Sequence, residues 1–143
     1  MSRVFGIEFW FNFEWQNFLN NKKISNKTNK NFDLEERTAK FGENVIKFCR
    51  TIRQDTITRP LISQIIRSAT SVGANYCEAN GASSKKDFKN KIHICKKEIQ
   101  ETKHWLRMIS TAYPDKKEDS RKLWQEAQEL TLIFGKIISS MKK

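Results

Sequence analysis

Between Leu34 and Met141, apolar side chains return at alternating steps of four and three residues, in four separate runs. That step keeps one face of a 3.6-residue helix apolar, whereas a half-buried strand would need alternation every two residues. The first run is Leu34, Thr38, Phe41, Val45, Phe48 and Ile52, and the second is Ile62, Ile65, Ala69, Val72, Tyr76 and Ala79. The third is Phe88, Ile92, Cys95, Ile99, Thr102, Leu106 and Ile109, and the fourth is Leu123, Ala127, Leu130, Phe134, Ile137 and Met141. An apolar stripe has to be covered. Four stripes on short connections cover one another as an antiparallel up-down four-helix bundle, so the expected fold class is all-α.

Start and stop signals agree with these spans. Asp33 with Glu36, Ser84 with Asp87, and Asp115 with Glu118 each put a capping oxygen three residues before an acid. The oxygen can accept from an orphaned backbone N–H, and the acid favours the positive end of the helix. Pro60 suits the first turn of the second helix, where its missing N–H costs little. Asn80-Gly81 is expected to stop that helix, since either residue tolerates a left-handed backbone, and Pro114 closes the third helix.

The expected bundle domain is 32–143, and residues 1–31 read as an extension outside it. That extension carries "FGIEFWFNFEWQNF" followed by the Asn/Lys run "NNKKISNKTNKN". Its aromatic part contains Glu8 and Glu14, is too short to span a bilayer, and lacks the layout of a secretory signal. Only the smaller part of the net charge of +11 comes from this segment, which holds five Lys/Arg against two acids. The remainder holds 22 against 14. An excess carried by the folded body argues for a polyanionic partner or for solubility. Three widely spaced cysteines, Cys49, Cys77 and Cys95, with no C-x-x-C, fit neither a disulfide framework nor zinc, and a reducing cytoplasm is the simplest setting.

The second helix carries a polar stripe beside its apolar one: Gln64, Ser68, Ser71, Asn75 and Glu78. A solvated face in this chain is expected to carry Lys and Glu, yet four of these five residues are uncharged. Small hydroxyl and amide side chains suit a close, hydrogen-bonded helix contact, inside the bundle or between subunits. Gly73 and Ala74 alongside would shorten the approach. Glu78 would need a cation, from Arg67 or a lysine of the third helix, because an unpaired buried carboxylate is costly.

The third helix segregates its charge. At about 100° per residue, Lys85, Lys86, Lys89, Lys96, Lys97, Lys103 and Arg107 fall within an arc of roughly 120°, shared with His93, Gln100 and His104. Asp87, Glu98 and Glu101 lie elsewhere. Like charges at i,i+4 repel, so the arrangement destabilises the helix unless something negative binds. Phosphate backbones are the candidate, with Lys85, Lys89, Lys96, Lys103 and Arg107 as contacts. No base-reading motif is present, so shape and charge would dominate over sequence.

Catalysis finds little support. His93 and His104 are about three turns apart, too far to share a metal, and no H-E-x-x-H, G-x-S-x-G or P-loop occurs. The HEPN nucleases place an Arg shortly before a His; here the matching residues are Lys86 before His93 and Lys97 before His104, and the Arg is missing. No enzyme, no metal and no cofactor are expected.

The segments "FDLEERTAKFGENVIKFC", "PLISQIIRSATSVGANYCEANGASSKKDFKNKIHICKKEIQETKHWLRMI" and "RKLWQEAQELTLIFGKII" resemble the bacterial four-helix bundle protein family. Its members include proteins encoded within intervening sequences of 23S ribosomal RNA genes. The S-x-G-A-N-Y-x-E-A core and the S-K-K-D-F stretch carry most of the likeness. The resemblance implies an antiparallel bundle assembling as a homopentamer. It also implies kinship with the accessory variability protein of diversity-generating retroelements, a basic pentamer that binds nucleic acid and a reverse transcriptase. On that analogy the Gln64–Glu78 stripe would lie at helix or subunit contacts, and the cations of the third helix would face RNA or DNA. A protein–protein scaffold or accessory subunit without nucleic-acid affinity is the alternative.

Overall fold

The computed structural model describes residues 33–142. They form helices α1 (Leu34–Arg50), α2 (Thr58–Asn80), α3 (Lys85–Ala112) and α4 (Lys117–Ser140), with a 3₁₀ turn at Pro114–Lys116 ahead of α4. Each helix packs on its neighbour in sequence, and α1 also meets α4 to close an antiparallel four-helix bundle. Cross-helix contacts fix the direction. Arg67 meets Glu98 and Glu101 while Glu78 meets Lys91, so α3 runs down as α2 runs up.

The four seams meet in the middle. Every residue of the first three runs is buried, including Thr38, Thr102 and Ile52. Ile52 lies two residues past the end of α1 yet stays packed against the core. In α4, Ala127, Leu130, Phe134 and Ile137 are buried, while Leu123 and Met141 are partly buried against the same cluster. The core is continuous across the bundle: Tyr76 of α2 and Phe134 of α4 bring their ring centroids to 6.2 Å at a 52° tilt. Two hydroxyls tie helices together inside it. Ser120, buried in α4, donates to the Leu106 carbonyl at 2.9 Å, and buried Thr102 donates to Ser68 at 2.9 Å.

The helix ends follow the local chemistry at two of the three expected caps. Asp33 accepts from the Glu36 N–H at 3.2 Å, and Ser84 accepts from the Asp87 N–H at 3.1 Å. Asp115 does not cap α4. Pro114 opens a 3₁₀ turn that runs directly into the helix, leaving Lys116 at the N-cap position with no side-chain bond. α2 begins at an aspartate the sequence reading overlooked: Asp55 accepts from the N–H groups of Thr58 and Ile57, each at 2.8 Å. Those two bonds, from Thr58 first and Ile57 second, hold the Asp55 carboxyl below its usual range. The stop at Asn80-Gly81 occurs, but Gly81 sits at φ −93°, not in the left-handed region. Tyr113 takes the extended backbone expected before a proline, at φ −138° and ψ 78°.

At one point a small residue is required. A Cβ on Gly73 would lie 3.4 Å from the Ala39 nitrogen and 3.4 Å from the Thr38 carbonyl carbon, both backbone atoms of α1. The small residue of the α2 stripe region therefore sets the approach of α1. Gly73→Leu is expected to push α1 off α2, with an overpacking cost of about 1–3 kcal/mol. Thermal unfolding followed by circular dichroism checks this. An unchanged midpoint would show that α1 tolerates a wider spacing.

Candidate nucleic-acid interface

The polar stripe of α2 lies along the seam with α3, and its members meet different fates. Ser68 is fully buried and receives the Thr102 hydroxyl, while also donating to the Ile65 carbonyl at 3.2 Å. Ser71 and Asn75 are half-buried, and the Asn75 amide donates back to the Ser71 carbonyl at 2.8 Å. Gln64 and Glu78 at the two ends are exposed. Glu78 takes a lysine of the third helix, as its charge demands, but the partner is Lys91. That bond raises the Lys91 pKa. Arg67 forks onto Glu98 and Glu101, and its pKa is raised by the Glu101 bond above all. Burial works against ionisation of Glu101, but the Trp105 indole N–H and Arg67 outweigh it and hold its carboxyl below the usual range.

One flank of α3 is thus spent on α2. Asp87, Lys91, Glu98, Thr102 and Glu101 share that side by helical phase, and three of them form ion pairs with α2. The opposite flank of α3 turns toward α4. Lys103, half-buried, donates to the Gln128 side chain and sits 4.6 Å above the Trp124 ring. The Lys96 ammonium lies over Gly135 of α4, 3.8 Å from where a Cβ would stand there. Lys89 is half-buried on the same line. These three lysines are spaced by seven residues, two helical turns or about 10.5 Å apart. Lys85 and Arg107 are exposed at either end of the row.

Ion pairs occupy other parts of the bundle. Elsewhere, Arg37 holds Glu126 in a fork of 2.6 and 2.9 Å and also reaches Glu129; Lys116 meets Asp119 and Arg121 meets Glu118. Among the described residues, Lys89, Lys96, Lys103 and Arg107 take no carboxylate partner. The acids of α4 do not reach them, because Glu118, Asp119, Glu126 and Glu129 fall by phase on the side away from α3. Surface pairs of this kind add little stability, roughly 0–1 kcal/mol each. Their consequence is neutralisation, and the α3–α4 flank does without it. Sequence reading found the cations but missed Trp124, Gln128 and Gly135, which lie against them on α4. The available signal was an aromatic one residue off the apolar run of the fourth helix.

The remaining candidates are dispersed. His93 and His104 are both exposed, and His104 sets its edge against Trp105 with centroids 5.0 Å apart. No group of His, Cys, Asp or Glu suited to a metal ion occurs among the described residues, and no described helix is long and apolar enough to cross a membrane. The aromatic stretch at residues 5–18 lies outside the described residues.

The structure thus defines an antiparallel four-helix bundle whose third helix turns Glu98, Glu101 and Lys91 to one neighbour and Lys89, Lys96 and Lys103 to the other. The chain belongs to the 23S rRNA-intervening sequence protein family, whose model matches residues 30–136. It is also similar to a solved protein of unknown function from the S23 ribosomal protein family of Bacteroides thetaiotaomicron VPI-5482. That likeness has 28% sequence identity and a TM-score of 0.66, over 74% of this chain and 98% of the other. No curated protein matches the chain.

The three thiols differ in accessibility. Burial pushes Cys49 up to about 11 and Cys95 up to about 12, and neither side chain reaches the surface. Cys77 is exposed, with its thiol raised by desolvation first and by the neighbouring Glu35 second. At neutral pH a thiolate reagent should therefore label one cysteine of the native protein, more slowly than free cysteine. Cys77→Ser should abolish that labelling. Rapid modification of two or three thiols without denaturant would contradict the packing of α1 and α3.

Proposed function

We propose that the chain is a non-enzymatic, oligomeric nucleic-acid-binding protein that holds structured RNA or DNA by its phosphates. Lys85, Lys89, Lys96, Lys103 and Arg107 make the contacts. One observation carries this reading: among the described residues, Lys89, Lys96, Lys103 and Arg107 along one flank of α3 take no carboxylate partner, whereas Arg37, Arg67 and Arg121 pair with glutamates. Anion binding would relieve the repulsion along that row. It would also offset the placement of Lys85 and Lys86 in the first turn of α3, where the helix dipole disfavours positive charge. The family's link to an inserted segment of ribosomal RNA genes makes folded RNA a natural first ligand. Reduced, unpaired cysteines suit a cytoplasmic site of action.

Five phosphate contacts imply a steep dependence on salt, with a log–log slope of roughly −4.5 on a duplex. Filter binding to a folded RNA at two salt concentrations measures it. Replacing Lys89, Lys96 and Lys103 by Glu should abolish binding while circular dichroism shows the helices intact. Absence of affinity at low salt, or affinity indifferent to salt, would overturn the reading and favour a protein–protein scaffold.

The oligomer rests on the resemblance to a pentameric family and on the half-buried Ser71 and Asn75 at the rim of the α2–α3 seam. Sedimentation equilibrium should give a mass several times 16.9 kDa. A strict monomer would remove the subunit contact from the proposal.

A further inference from the structure

Trp124 stands apart from the other described tryptophan. Trp105 is half-buried, donates its indole N–H to Glu101 at 3.1 Å and meets His104 edge-on, which are the contacts of a packing residue. Trp124 is 40% exposed, and among the described residues its only specific neighbour is the Lys103 ammonium, 4.6 Å above the ring. Part of a large flat aromatic ring is therefore open to solvent on a face shared with Lys96, Lys103, Gln128 and Gly135. Phosphate contacts alone give such a ring nothing to do.

We infer that Trp124 is a stacking platform for an unpaired base, so that the ligand of the α3–α4 groove is a single-stranded segment of nucleic acid. This rests on the phosphate-binding reading above and narrows it. Bases in a duplex are stacked on one another and cannot offer a face to a side chain, whereas a single strand or a loop can. The charge of the groove complements the backbone of such a strand, and the ring complements its bases. Lys103 links the two roles. Its ammonium rests over the ring while no strand is present, and base–aromatic stacking is stronger than an exposed cation–π contact. An arriving base takes over the ring face, and Lys103, on a flexible four-carbon stem, turns to a phosphate. Gln128 then loses its lysine partner and is free to meet a base edge.

The test uses the full chain with a 20-nucleotide single strand and the blunt duplex of the same sequence, each as RNA and as DNA, at one low salt concentration. The single strand should bind about tenfold more tightly than the duplex and quench tryptophan fluorescence. Trp124→Ala should erase that preference by weakening single-strand binding about tenfold. Trp124→Phe should keep most of the affinity but lose most of the quenching, which assigns the signal to this ring among the four tryptophans of the chain. Equal affinity for strand and duplex, unchanged in Trp124→Ala, would overturn this inference and leave phosphate binding standing. Absence of affinity for either ligand would overturn both.

Discussion

α3 is the helix on which the rest depends, because it is packed on both sides and has to serve two unlike neighbours. Its apolar seam, from Phe88 to Ile109, is buried throughout. On either side of that seam its polar residues are sorted: the acids, Thr102 and Lys91 to α2, and Lys89, Lys96 and Lys103 to α4. The α2 side is self-sufficient, with a buried hydroxyl pair at its centre and ion pairs along its edge. Thr102 and Ser68 satisfy each other where water cannot reach, which spares the seam an unpaired polar group. The α4 side is satisfied in shape and unsatisfied in charge. That asymmetry within one helix is what gives an otherwise ordinary bundle a direction.

Much of this was legible in the sequence, and the reason is periodicity. Steps of four and three from Leu34 to Met141 name the buried residues almost one for one, because burial in a bundle depends on helical phase and little else. Thr38 and Thr102 could be placed in the core on phase alone, against their polarity. The cationic arc of α3 was legible for the same reason.

What the sequence hid were relations between helices. Within α2 the stripe of Gln64, Ser68, Ser71, Asn75 and Glu78 looks uniform, yet only Ser68 is sealed; the end residues sit where the flank turns outward. Lys91 was overlooked as the partner of Glu78 because it lies off the cationic arc, on the side that faces α2. Trp124 and Gly135 acquire meaning only when α4 is laid antiparallel to α3 and Lys103 and Lys96 fall against them. Asp115 failed as a cap for a more local reason. Pro114 already supplies a turn whose geometry feeds the helix without one.

The closure between α1 and α4 is the slightest of the helix pairings, and Arg37 with its two glutamates is the polar link across it. Beside that link lies a surface hollow of about 360 Å³, bounded by Asp33, Glu36, Arg37, Lys40, Phe41, Asn44 and Glu126. Amide protons report such differences in local free energy. With so light a hold on α4, α1 is the helix expected to open first, about the connection at residues 51–57, with α2, α3 and α4 keeping their mutual packing. In hydrogen exchange, α1 would then form its own early-opening foldon, and the three-helix remainder, basic groove included, would set the global unfolding limit.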